Sequence, residues 1–205
     1  MWRWLTNNHQ TLTGIGAMLV GVAALLVAWD QGRVMRAQQH GAVYPVLQID
    51  GFVTRDGDTQ HVGARISNNG VGPAMIDDIV VIRDDEPVAD FSALVPFIPE
   101  QAELNWSTMI GRVLAPGESV VPLEYVWVAD SVDEDVLDAL LVEWSRWDVA
   151  ACYCSVFGKC WVADTRGVGR RPEPVRECPR PEEDLFEQMA DRARSASSNN
   201  AEAQP

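Results

Sequence analysis

Asn68-Asn69-Gly70-Val71-Gly72-Pro73-Ala74 is the stretch on which the fold turns, because it can hold a ligand or simply join two strands. Asparagine and glycine enter left-handed backbone at little cost, and Pro73 fixes φ while offering no N–H. A loop that cradles phosphate needs a helix N-terminus after it, usually with a lysine or a downstream acid. The next residues are instead Ile76, Ile79, Val80, Val81 and Ile82, side chains that favour a buried strand. The stretch therefore reads as a turn between strands, and the chain around it as a β domain.

Upstream, Tyr44 to Asp50 alternates in the strand manner, with Pro45 near its start, where a missing donor is tolerated. Asp56-Gly57 is a strong hairpin signal, and His61 to Ser67 comes next with Val62, Ala64 and Ile66 on one face. Downstream, Asp84-Asp85-Glu86-Pro87 reads as a closing turn, and residues 89–110 as short helical segments broken by Pro96 and Pro99. Pro116-Gly117 introduces another strand, Ser131 and Glu134 form a capping box for a short acidic helix, and residues 142–156 and 160–164 read as the last two strands. About six or seven short strands with hairpin-length connections predict a mainly β fold. It is an immunoglobulin-like β-sandwich with short inserted helices.

Leu12 to Trp29 carries no charged residue, and as a helix it rises roughly 27 Å against a hydrocarbon core of about 30 Å. One N-terminal transmembrane helix is predicted, with Trp2, Trp4 and Trp29 at its edges in the headgroup zone. A cleaved signal peptide fits less well, since Arg3 is the sole positive side chain ahead of the apolar run and no small-x-small site comes after it. Gly14, Ala17, Gly21, Ala24 and Ala28 share one helix face and would let a second helix approach closely. The expected organisation is a tail over 1–11, the span over 12–29, a stalk over 30–42, the β-sandwich over 43–164 and a largely disordered tail over 165–205, with a short helix at Pro181 to Arg194.

Four segments in order resemble a loosely defined group of bacterial single-span membrane proteins of unknown function: Gln39-His40, Val43-Tyr44-Pro45-Val46-Leu47, the 68–74 stretch, and Tyr153-Cys154-Ser155-Val156-Phe157-Gly158-Lys159-Cys160-Trp161. The resemblance covers about residues 12 to 164 and departs from the group at Gly41-Ala42. It implies an anchor, a stalk and a β domain, and no activity, ligand or catalytic residue.

The four cysteines admit three states. Cys154 and Cys160 flank a short loop and would pair across a hairpin, leaving Cys152, on the same strand face, to meet Cys178. A four-cysteine zinc site departs from the usual C-x2-4-C knuckles, and free thiols would fit a cytoplasmic domain. Arg3 against Arg33 and Arg36 leaves the orientation nearly balanced, and disulfides tip it towards an inner-membrane protein whose folded domain is periplasmic.

A formal net charge of −14 argues against nucleic acid as a partner, because phosphate binding draws on clustered Lys and Arg. Of His9, His40 and His61, only His61 falls within the β domain, so a nucleophile–histidine pair would depend on it alone. The acidic runs Asp77-Asp78, Asp84-Asp85-Glu86 and Asp133-Glu134-Asp135 lack EF-hand spacing and read as solvated turns and helix starts. The reading is a non-enzymatic, single-pass membrane protein without a cofactor. It works in the lipid bilayer with a membrane-protein partner or as a homo-oligomer, in protein–protein interaction or assembly. The alternatives are a cysteine-dependent redox or metal-binding protein and a calcium or small-ligand module.

Overall fold

The structure is a computed structural model that describes residues 9–89, 91–167, 171–181, 184–186 and 188. The chain divides into two units, Met1–Ala42 and Val43–Pro205. The first contains helix α1, His9–Ala42, rich in Ala, Leu and Val. Met18, Leu19, Leu25 and Leu26 on it are exposed to the surroundings, as are the small residues from Gly14 to Ala28. A helix apolar all round and uncovered by protein is suited to lipid. It is long and apolar enough to cross a bilayer. The expected stalk over 30–42 is the unbroken continuation of this helix. Trp2, Arg3 and Trp4 lie outside the described residues.

The second unit is mainly β, with two sheets around one core. The first sheet has the order β1-β2-β7-β5, where β1 is Leu47–Asp56, β2 Thr59–Asn68, β7 Ser119–Val128 and β5 Glu103–Trp106. The second has the order β10-β9-β8-β3-β4, with β6 (Val113–Leu114) also on β3 (Ala74–Arg83). Its other strands are β4 (Glu86–Val88), β8 (Trp147–Cys154), β9 (Cys160–Asp164) and β10 (Glu173–Val175). Alternation along β2 and β3 turns Val62, Ile66, Ile76 and Val81 inward to meet Leu114, Leu123 and Tyr153, all essentially inaccessible to water. The predicted hairpin joins β1 to β2, with Gly57 at φ +58° in its turn.

Four local readings are corrected. Asp84 and Asp85, at φ 51° and 68°, make the whole turn, and Glu86–Val88 returns as β4, an edge strand where the missing donor of Pro87 costs no ladder bond. Residues 89–110 contain one 3-10 turn, Val95–Phe97, and the strand β5, which was not foreseen. Helix α2, Glu134–Trp144, starts at Asp133 without a side-chain cap, because the Ser131 hydroxyl donates to the Val128 carbonyl at 2.6 Å instead; the helix also takes up residues 142–144, which were read as strand.

The described part of 165–188, expected to be largely disordered, is tied to the β domain instead. β10 pairs with β9, and Phe186 is 1% exposed. The Asp184 carboxylate accepts from Met109 N at 2.7 Å, Ile110 N at 2.8 Å and Phe186 N at 2.8 Å. A few well-placed anchors thus fold a composition that reads as polar. Of the helix expected from 181 to 194, Leu185, Phe186 and Gln188 are helical, and residues 182, 183, 187 and 189–194 lie outside the described residues.

Candidate functional site

The 68–74 stretch proves to be a brace. None of its residues has positive φ, so the glycines serve close approach and not left-handed backbone. A Cβ on Gly70 would lie 2.4 Å from Tyr44 O, and one on Gly72 2.1 Å from Val43 O. Asn69 N and Val71 N donate to Val46 O and Tyr44 O at 2.8 and 2.9 Å, which continues the β1–β2 pairing past the ends of the strands. Asn68, wholly buried, donates to Gly72 O at 2.8 Å and Leu114 O at 3.0 Å, and its side-chain oxygen accepts from Gly70 N at 3.0 Å and Val46 N at 3.3 Å. Every hydrogen-bonding direction of that amide is used inside the protein, which leaves it none for a ligand.

The cysteines form two bridges, Cys152–Cys178 and Cys154–Cys160, with Cα separations of 5.6 and 4.0 Å. Cys152 and Cys154 share a face of β8 because they are two residues apart on a strand. The bridges lie side by side, with Cys154 Sγ 3.8 Å from Cys178 Sγ and 3.2 Å from the Asp77 carboxylate. The sulfurs of Cys154, Cys160 and Cys178 lie within 4.8 Å of one another, a spacing that could gather a metal if they were thiolates. As bridges, they cross-link β8, β9 and the segment after β10.

His61 faces Glu124 across the β2–β7 ladder, with Nδ1 3.0 Å from Oε1, and Asn105 donates to the other carboxylate oxygen at 3.4 Å. Parts of the acidic runs are engaged in ion pairs or at a helix start. Asp84 pairs with Arg146, Asp85 with Arg166 at 2.9 Å, and Asp133 begins α2. Glu143, 3% exposed, accepts from Arg83 at 2.7 Å, Arg146 at 3.0 Å and Trp147 Nε1 at 3.0 Å. The Arg83 hydrogen bond foremost holds the Glu143 carboxyl below the usual range, against the opposing effect of desolvation.

One feature is not legible in the sequence, an apolar pocket of about 240 Å³ between the sheets that is open to solvent on one side. It exists because the inward face of the first sheet runs small where Gly51 pairs with Ala64, and Val81 and Val149 stand opposite without filling the gap. Phe91, Trp147, Trp144 and Phe186 complete its wall, the first two stacked with centroids 5.4 Å apart. Gly51, in register with the buried Leu47 and Ile49 yet itself exposed, is the one signal the sequence offers. Apart from Trp147 on β8, the aromatic walls come from a loop, a helix end and a distant tail, which strand alternation does not connect.

Fold and site together define a disulfide-bridged, two-sheet β domain preceded by one long apolar helix. Compared with protein-family models, curated proteins and solved structures, the chain has no significant match.

Proposed function

We propose that this chain is a single-pass inner-membrane protein whose immunoglobulin-like β-sandwich lies in the periplasm and acts in protein–protein interaction or assembly, not in catalysis. The observation that carries the reading is the joining of a doubly disulfide-bridged β domain to an uncovered apolar helix. Disulfides persist in oxidising compartments, and the helix would place the domain beside one. The immunoglobulin-like assignment draws support from strand order: β1-β2-β7-β5 opposite β9-β8-β3 matches the sequence of strands in a constant-type domain, although the bridges here do not join the two sheets. Kinship with bacterial single-span membrane proteins belongs to the same proposal, as does packing through the Gly14-to-Ala28 face.

Crosslinking and pull-down from native membranes, combined with protease protection of the β domain, test this reading. Recovery of a specific partner or a second copy, with the domain shielded on the periplasmic side, supports it. A chain recovered alone, or a domain exposed to the cytoplasm, sinks it.

A cysteine-dependent redox or metal-binding role is the second reading, favoured by the 3.8 Å approach of the two bridges. Mass-spectrometric thiol mapping separates the two readings: complete bridges in all molecules point to a staple, and labile thiols to chemistry.

A further inference from the structure

We infer that the cavity between the sheets is a binding site for a small, uncharged aromatic molecule carrying one hydrogen-bond acceptor. The inference is independent of the interaction role above. A dry 150 Å³ cavity admits benzene, so the 240 Å³ here has room for a ligand of about ten heavy atoms. The space opens to solvent where Gly51, Val53 and Ser145 are exposed, so a ligand can enter it without the fold opening.

The chemistry of the wall selects the ligand. Phe91, Trp144, Trp147 and Phe186 offer flat apolar surfaces, against which a ring packs by offset stacking or edge to face. Among the described residues no charged side chain lines the space, so a carboxylate or ammonium would find no counter-ion there. Two of the polar side chains at the wall are committed: Ser145 Oγ donates to Val142 O at 2.7 Å, and Thr165 Oγ1 donates to Asp148 at 2.6 Å while accepting from Val149 N at 3.1 Å. The Trp144 indole N–H makes no hydrogen bond among the described residues. It stands where a Cβ on Gly51 would lie 3.2 Å away, so the absence of a side chain at residue 51 keeps this donor clear. An apolar wall with one free donor matches a neutral ligand with a carbonyl at one end.

The test uses the full chain in lipid nanodiscs, titrated with propiophenone and followed by saturation-transfer NMR, with empty nanodiscs subtracted. Propylbenzene, which lacks the acceptor, and benzoate, which is charged, are the comparison probes. Saturable binding of propiophenone is expected, weaker binding of propylbenzene, and none of benzoate. Trp144→Phe keeps the ring and removes the donor, and should weaken propiophenone by roughly three- to tenfold while leaving propylbenzene unchanged. Gly51→Leu and, separately, Ala64→Met fill the space and should abolish binding of both neutral probes, with circular dichroism confirming that each variant remains folded. Absence of saturable binding to the wild-type chain, or binding retained in a folded cavity-filled variant, overturns the inference.

Discussion

Gly72 lies so close to Val43 that a Cβ on the glycine would sit 2.1 Å from the valine carbonyl oxygen. Val43 opens the β unit, so this contact fixes how the chain enters it. Gly72→Ala must push the two backbones apart, and a loss of about 3 kcal/mol is expected. For a domain of this size that corresponds to a fall of roughly 6–12 °C in Tm. Thermal unfolding followed by circular dichroism checks it, and a variant within 1 °C of wild type would refute the packing role.

Asn68→Ala removes four hydrogen bonds at once, two of them fully buried, and leaves backbone groups of Val46, Gly70, Gly72 and Leu114 without that partner. A loss of about 2–4 kcal/mol is expected, and Asn68→Asp should also destabilise because its carboxylate cannot donate to the two carbonyls. Urea unfolding midpoints at constant m-value measure both.

The two bridges should differ in worth. Cys152–Cys178 spans 26 residues and Cys154–Cys160 spans 6. Chain entropy assigns them about 3.5 and about 2 kcal/mol respectively. The double variant Cys152→Ser/Cys178→Ser is therefore expected to unfold at lower urea than Cys154→Ser/Cys160→Ser. The reverse order would show that native-state contacts, not loop closure, dominate.

Residues 184–186 act as a clasp on the β domain, so Phe186→Ala should cost about 3–4 kcal/mol through the apolar burial it removes. Asp184→Ala should cost about 2 kcal/mol by leaving Met109 N and Ile110 N without their acceptor. Hydrogen exchange at those two amides should accelerate in both variants. Unchanged protection would show that the 184–186 segment does not cover them.

Glu143 supplies a pH dependence of known sign. Its folded-state pKa is lowered from 4.5, foremost by the Arg83 hydrogen bond, so its contribution is complete above about 4.5 and fades as the pH falls towards the folded value. The stability gap between wild type and Glu143→Gln should thus narrow between pH 7 and pH 3. A gap constant across that range would refute the ion-pair account. On the alkaline side, burial pushes the Tyr125 and Tyr153 hydroxyls up to about 12 from 10.0, so stability should fall as the pH rises through that interval.

The features legible in the sequence were the local and the periodic ones. Alternation in β2, the β-branched run of β3, the Pro116-Gly117 turn ahead of β7 and the Asp56-Gly57 turn arise from neighbouring residues, and all of them appear in the fold. Where two local rules competed, tertiary context decided. Ser131 satisfies a carbonyl instead of capping α2, and the Asp84-Asp85 pair turns so tightly that Glu86 and Pro87 are free to form an edge strand. Composition averages over residues, whereas Cys178, Asp184 and Phe186 make long-range contacts that order their surroundings, and these are not visible in the tail's own sequence. The cavity was out of reach for the same reason. Gly51 is conspicuous in β1, but Phe91, Trp144 and Phe186 close the space from three separate parts of the chain.

The Cys152–Cys178 bridge also imposes a schedule on biosynthesis. Cys152, Cys154 and Cys160 leave the ribosome before Cys178. During that interval three thiols on one hairpin compete, and an oxidant acting early can lock Cys152 to the wrong neighbour. In the proposed periplasmic setting, Cys152 must stay reduced after Cys154 has joined Cys160 until its partner emerges, so yield there should depend on isomerase activity that reopens premature pairings.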